Sequence, residues 1–210
     1  MRKAFLILTF MCAFWGAFAQ QDAQDNNDSW KQIYRATPTK INDLVHTKLN
    51  VSFDFDKSWL YGKAWITLKP HFYATDSLTL DAKGMAIKEV ALVKGNSKLK
   101  LKYQYDNWKL KIQLDKVYKA GENYTLYIDY ISKPDELEVK GSAAITDAKG
   151  LYFINPKGEK EGPTQIWSQG ETEGSSVWFP TIDEPSQKCT QEISMTVPSK
   201  YVTLSNGLMV

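Results

Sequence analysis

An all-β chain, folded as an antiparallel β-sandwich or saddle, is the expectation that three observations set. Apolar and polar side chains alternate with a period of two from Val45 to Val197. Turn residues break that alternation at short intervals, and no apolar period of helical type runs longer than about two turns.

The first strand holds Val45, Thr47, Leu49, Val51, Phe53 and Phe55 on one face, with His46, Lys48, Asn50, Ser52 and Asp54 on the other. After a turn at Asp56-Lys57-Ser58, Leu60, Gly62, Ala64, Ile66 and Leu68 share a face. Pro70, which cannot donate to a ladder, closes that run. Shorter strands follow around Leu78 and Leu80, Val90 and Leu92, and then Leu99, Leu101, Tyr103 and Tyr105. Asp106-Asn107 tolerates the backbone of a tight turn and predicts a hairpin to Trp108, Leu110, Ile112 and Leu114. Lys119-Ala120-Gly121 leads into Tyr124, Leu126, Ile128 and Tyr130. Ser132 to Gly162 is rich in charge, Gly and Pro and is expected to form surface loops, interrupted by a short strand at Leu151–Ile154. Ile193, Met195 and Val197 alternate once more before Pro198. The run ending Ser205-Asn206-Gly207-Leu208-Met209-Val210 has the pattern of a strand-turn-strand element cut short. The β domain is therefore expected to be incomplete at its C-terminal end and to form the front of a longer protein.

The first 19 residues stand apart. Arg2 and Lys3 precede the nearly all-apolar Ala4–Ala19, and Ala17-Phe18-Ala19 fits the small-x-small cleavage rule, so residues 1–19 read as a removed signal peptide. The apolar run falls short of the about 20 residues that a span needs, and no stable membrane insertion is expected after removal. The protein is expected to be exported, to the periplasm or beyond the cell. Residues 20–43, rich in Gln, Asp and Asn, form a polar lead-in in which Trp30, Ile33 and Tyr34 are the docking candidates. Residues 44–210 are the β domain.

Removing Arg2 and Lys3 from 26 Lys plus Arg, against 24 Asp plus Glu, leaves a balanced chain. A nucleic-acid surface needs a basic excess or stripe, so nucleic acid is not an expected partner. Cys189 is the one cysteine outside the leader, which excludes an intrachain disulfide in the mature chain. It is either a small buried apolar residue or an exposed thiol. His46 and His71 lack ligand-spaced neighbours, and neither H-E-x-x-H nor G-x-S-x-G occurs. The chain by itself holds no catalytic set and is expected to bind no metal.

The segment from Gln165 to Pro185 carries the functional signal. Gln169 and Glu171 flank Gly170, so on an extended backbone both side chains leave the same face with nothing between them. A carboxylate and an amide oxygen together can satisfy an ammonium group with its three donors. Trp167 and Trp178 would supply aromatic walls, and Glu173 could add charge to that face. The plainer reading is a solvated polar strand face. Asp183 and Glu184, ahead of Pro185, have a structural reading as turn residues bonded to local backbone N–H groups.

At this segment the chain resembles the amino-terminal domain of the aminopeptidase N family of zinc metallopeptidases. The resemblance rests on Ser168-Gln169-Gly170-Glu171, on Trp178-Phe179-Pro180-Thr181-Ile182-Asp183-Glu184-Pro185, and on Val197-Pro198 followed by Leu204-Ser205-Asn206-Gly207. Leu44–Phe55 and Leu60–Leu68 resemble the family's opening hairpin, so the likeness covers residues 41–210. It implies a saddle domain packed against a thermolysin-like catalytic domain of the same polypeptide, with zinc bound there and none held by this chain. It also implies that Gln169 and Glu171 help hold the free α-amino group of a peptide substrate, which makes peptide N-termini the expected partner. Ser168 stands where Thr is more usual, and Ser175-Ser176 where many members carry Arg. Set beside this reading is a non-catalytic all-β interaction module that keeps the same saddle. If residues 1–19 are a cleaved signal, intact-mass or N-terminal analysis of exported protein will find Gln20 first; a mature form that keeps Met1 contradicts the reading.

Overall fold

The computed structural model describes residue 36 and residues 39–138 and 148–210. The signal peptide and the docking candidates of the lead-in lie outside the described residues. Eleven strands are described: β1 (Asn42–Asp54), β2 (Trp59–Pro70), β3 (Thr75–Asp81), β4 (Met85–Lys94), β5 (Ser97–Lys100), β6 (Lys102–Tyr105), β7 (Lys109–Tyr118), β8 (Tyr124–Ser132), β9 (Leu151–Ile154), β10 (Gln165–Ser168) and β11 (Thr190–Thr196). One helical turn, α1 (Ser175–Trp178), stands between β10 and β11. No helix among the described residues is long and apolar enough to cross a membrane.

A six-stranded sheet runs β11-β1-β2-β8-β4-β5, a three-stranded sheet β3-β7-β6, and β10-β9 form a hairpin of their own. The two larger sheets bury their inner faces in a common core, and the alternation predicted that core well. Leu60, Ala64, Ile66 and Leu68 of β2, and Leu126, Ile128 and Tyr130 of β8, are all inaccessible to solvent. Leu78, Leu80, Leu110, Ile112 and Leu114 close the core from the other sheet. Gly62 belongs to the same inward row. A Cβ placed there would stand 2.2 Å from the ring of Tyr130, its cross-strand partner, so the absent side chain is where the buried tyrosine lies.

Five sequence expectations are corrected. The sheets are mixed, because β11 runs parallel to β1 while every other described pairing is antiparallel. Alternation reports which face a side chain takes and carries no information on the direction of its neighbour. Val45 does not share the inward face with Thr47. The register slips between Leu44 and His46, so Leu44 and Thr47 are both buried with one extra residue between them, which is a β-bulge. The run Leu99–Tyr105 is two strands in two sheets: β5 pairs with β4, β6 pairs with β7, and Leu101 N donates to Val90 O at the crossing. Residues 201–210 contain no strand, and Trp108 is 43% exposed rather than part of the core.

The turns behave as their residues require. Asn107 takes a positive φ of 74°, and the Asp106 Oδ1 accepts bonds from the backbone N–H groups of Trp108 and Lys109. Those two bonds, the first from Lys109, hold the Asp106 carboxyl below the usual aspartate range.

Asp81, the last residue of β3, ties the segment after α1 to the sandwich. Its backbone N–H donates to Thr181 O at 2.7 Å and its C=O accepts from Thr181 N at 3.0 Å. One carboxylate oxygen pairs with the Lys109 ammonium, and the other accepts from Asp183 N at 3.1 Å. The Asp81 side chain is 12% exposed and that of Lys109 is 52% exposed. Removing the carboxylate leaves a part-buried N–H without an acceptor, whereas removing the half-exposed ammonium loses a screened pair. Asp81→Ala is therefore expected to cost about 2–3 kcal/mol in urea unfolding, and Lys109→Ala less than about 1 kcal/mol. Equal losses would contradict this division of the work.

Candidate functional site

β9 and β10 pair in register, with Trp167 opposite Tyr152 and Ser168 opposite Leu151. Phe153 and Ile166 turn to the core, so the alternate residues Tyr152, Ile154, Gln165 and Trp167 occupy the outer face. On that face the rings of Tyr152 and Trp167 stack at 4.5 Å and 13°, and Trp167 is 45% exposed. The ladder continues one step past the strand, where Gln169 N donates to Gly150 O at 2.9 Å.

From there the chain turns. The extended Gln169-Gly170-Glu171 geometry expected from sequence is not found: β10 stops at Ser168, and Glu171 to Gly174 form a tight turn that runs into α1. Gly174 N donates to Gly170 O at 2.9 Å and closes this turn. The turn is seated by a contact between two glycines. A Cβ on Gly150 would lie 1.8 Å from Gly174 O, and one on Gly174 would lie 2.6 Å from Gln169 O, so neither position has room for a side chain. Gly150 also has a φ of 70°.

Behind the turn, buried polar groups fasten α1. Ser176 and Val177 are fully buried. The Ser176 N–H donates to the Asp183 Oδ2 at 2.8 Å, and the Ser176 carbonyl accepts from Lys83 N at 2.8 Å. The Ser132 hydroxyl donates to Val177 O at 2.8 Å, and the Ser176 hydroxyl to Glu173 O at 3.1 Å. The structural reading of Asp183 is therefore what the fold shows. Burial pushes its carboxyl above the usual aspartate range, outweighing the bond from Ser176 and the charge of Lys83, and neighbouring Asp81 adds to the rise. The full burial of Ser176 gives the small residue a reason: a hydroxyl fits there, bonded to the turn.

The two candidate side chains fall on the open side of this framework. Gln169 is half-buried and Glu171 is exposed. Neither side chain has a hydrogen-bond or ion-pair partner among the described residues. Glu173 does not join them. Its carboxylate lies 3.5 Å from the Lys83 ammonium, which also donates to the Glu173 carbonyl at 2.8 Å. Trp178 packs against the core with its ring 4.4 Å from Phe179, so Trp167 alone is an exposed aromatic beside the turn. Sequence reasoning missed Lys83, Asp81 and Ser132, which have no motif of their own and reach the site only through the fold.

No group of three or more His, Cys, Asp or Glu side chains among the described residues is placed to hold a metal ion. His46 shares a hydrogen bond with Thr190, and His71 with Asp43. A zinc ion therefore does not fit the described part of this chain. Cys189 is half-buried and packs against the core. An open groove of about 580 Å³ lies elsewhere, lined by Phe55, Pro156, Tyr201 and charged neighbours, and includes neither Gln169 nor Glu171.

With this geometry in view, the chain can be set beside known proteins. Residues 42–209 match the family described as the peptidase M1 N-terminal domain. Subunit 2 of transcription initiation factor TFIID from Gallus gallus is 27% identical over 88% of this chain and 13% of its own length. Leucine aminopeptidase 2 from Saccharomyces cerevisiae is 25% identical over 76% of this chain and 22% of its own length. The fold is also that of an M1 zinc metallopeptidase from Deinococcus radiodurans, with a TM-score of 0.67, 19% identity, and coverage of 84% of this chain and 37% of that one. This sequence thus spans less than a quarter of the curated relatives it matches. With its family match running through almost the whole β domain, the chain belongs to the peptidase M1 N-terminal domain family.

Proposed function

We propose that this chain is the substrate-anchoring N-terminal domain of a larger, exported, zinc-dependent aminopeptidase, in which Gln169 and Glu171 hold the free α-amino group of a peptide. The observation that carries the reading is the turn from Gln169 to Gly174. It is seated from behind by the Gly150 contact and by the part-buried bonds of Ser176, yet the Gln169 amide and the Glu171 carboxylate on its open side have no partner among the described residues. In the free domain water can solvate both groups, which leaves their acceptor oxygens available to a ligand. An ammonium with three donors is a chemical complement to one carboxylate and one amide oxygen. The export part of the proposal rests on the sequence of residues 1–19.

The chemistry this chain supplies is positional. A fixed grip on the amine sets the distance from the peptide's first atom to the bond that is cut, and an internal peptide bond, which has no ammonium to offer, is refused. The zinc that the family's peptidases carry would act as Lewis acid beyond the residues described. The fixed turn matters because a loosely held anchor spreads the substrate over many positions and forfeits the gain from orientation.

A second reading has its own support: a relative named for transcription initiation matches 88% of this chain, so the same domain occurs in a protein whose name is not that of a peptidase. Under that reading the chain is a non-catalytic interaction module. The two diverge beyond Val210, where the aminopeptidase reading expects the reading frame to carry H-E-x-x-H and a Glu about twenty residues later. A continuation lacking that motif favours the module.

The anchor itself is tested in the full-length protein. Glu171→Ala is expected to lower kcat/KM on an aminoacyl arylamide by about thirty- to several-thousand-fold, since removing a carboxylate from a desolvated ammonium costs about 2–5 kcal/mol. Gln169→Ala is expected to cost about 0.5–1.5 kcal/mol, the net worth of a neutral hydrogen bond. Glu192→Ala, on β11 and paired with Lys48, serves as the control. Near-normal kcat/KM for a folded Glu171→Ala protein would return this turn to the role of a solvated surface.

A further inference from the structure

The outer face of the three-stranded sheet carries cations that neither the core nor the anchor uses. Beyond residue 19 the chain is balanced in charge, yet from 94 to 111 it holds Lys94, Lys98, Lys100, Lys102, Lys109 and Lys111 against Asp106 as the only acid. Three of these lysines find acids elsewhere: Lys94 pairs with Asp115, Lys98 with Glu89 and Lys109 with Asp81. Lys102 and Lys111 have no ion-pair or hydrogen-bond partner among the described residues.

The register of the sheet brings these two lysines together. Lys102 of β6 stands opposite Gln113 of β7, and Gln113 opposite Ser77 of β3. Two residues along, Gln104 stands opposite Lys111, and Lys111 opposite Thr79. Leu78, Leu110 and Ile112 on the alternate positions are buried, so these six side chains leave the solvent side, and all six are exposed. Lys102 and Lys111 are diagonal neighbours, with backbones about 7–8 Å apart. The result is a grid in which ammonium and amide alternate beside a row of hydroxyls, with no acid and no apolar side chain in it. Gln113 is already oriented, its Nε2 donating to Asp76 O at 2.9 Å. Lysine on an edge strand such as β6 blocks pairing with another chain. Lys111 lies on the central strand, where no such protection is needed, and its neighbours are Thr79 and Gln104 instead of an acid.

We propose that this face binds an acidic polysaccharide, with Lys102 and Lys111 on its carboxylates and Gln104, Gln113, Ser77 and Thr79 on its hydroxyls. The occupant follows from the chemistry of the grid. Cations without acids beside them attract anions, and amides and hydroxyls set between them both donate and accept, as a chain of neutral hydroxyls requires. A bilayer surface calls for apolar side chains to insert, and the grid has none. A nucleic-acid strand calls for aromatic rings under its bases or a long basic stripe, and these six positions supply neither.

The experiment measures binding of the full-length protein to polygalacturonate by isothermal titration calorimetry, with dextran, duplex DNA and phosphatidylserine vesicles as comparison probes and thermal melts alongside. The wild type is expected to prefer polygalacturonate to the other three and to bind it more weakly as salt rises. Lys102→Gln combined with Lys111→Gln is expected to weaken that binding by about two- to thirtyfold, the size of two exposed charge pairs. Gln104→Ala is expected to weaken it by about two- to tenfold with the salt dependence unchanged, as a neutral hydrogen bond does. Lys63→Gln, which removes an exposed lysine from β2 in the other sheet, is expected to change nothing. Substitutions at such exposed positions leave the fold intact, so each loss is read at an unchanged Tm. Absence of binding to polygalacturonate overturns the inference. So does an equal loss with Lys63→Gln, which would mean attraction by overall charge, and so does equal affinity for duplex DNA or for the vesicles. The inference stands apart from the amine anchor: arylamide turnover by the double lysine variant is expected to match the wild type, whichever way Glu171→Ala behaves.

Discussion

The carboxylate of Asp81 is the interaction on which the candidate site depends. The core of this domain is built by β-strands whose inner faces bury Leu, Ile, Val and Tyr side chains, and that core would exist without any particular polar contact. The segment from Ser175 to Glu184 is different. It contributes four helical residues and no ladder of its own, so its position follows from a small number of directed bonds. Asp81 supplies the backbone pair to Thr181 and the acceptor for Asp183 N, and Asp183 in turn accepts the Ser176 N–H at the head of α1. A chain of part-buried hydrogen bonds therefore runs from the end of β3 to the turn that carries Gln169 and Glu171. Such bonds contribute modestly to net stability but are costly to break, which suits them to fixing a position.

Much of the fold could be read from the sequence because a strand's two-residue period marks its buried face directly. β2 and β8 show this most plainly: every inward position expected from Leu60, Ala64, Ile66, Leu68, Leu126, Ile128 and Tyr130 is buried. The features that could not be read are those in which backbone geometry, and not side-chain pattern, decides. The bulge at Val45 inserts a residue without changing composition, the parallel pairing of β11 depends on a crossover, and the division of Leu99–Tyr105 between two sheets happens inside a run that alternates without a break.

The site divides in the same way. Gln169 and Glu171 were recognisable from their residue types and the intervening glycine, and Asp183 from its place before a proline turn. Their arrangement was not, because β10 ends at Ser168 and the turn that follows is shaped by Gly150, nineteen residues before Gln169 in the sequence. A glycine required by a neighbour's backbone carries no local signature. The alternation places Glu173 beside Glu171 on a strand; the turn instead brings it to Lys83, and among the described residues Glu171 is the carboxylate of the two without a cation.

The central claim is that a half-buried amide and an exposed carboxylate, both without a partner among the described residues and held on a seated turn, wait for an ammonium. Its most direct test is an experimental structure of the full-length protein with a bound compound that carries a free amino terminus, such as an amino-acid amide. The account predicts that the ammonium lies within about 3 Å of both the Glu171 carboxylate and the Gln169 amide oxygen, with Gly150 and Gly174 still in contact behind them. An ammonium held by other groups, with Glu171 turned to bulk water, would contradict it.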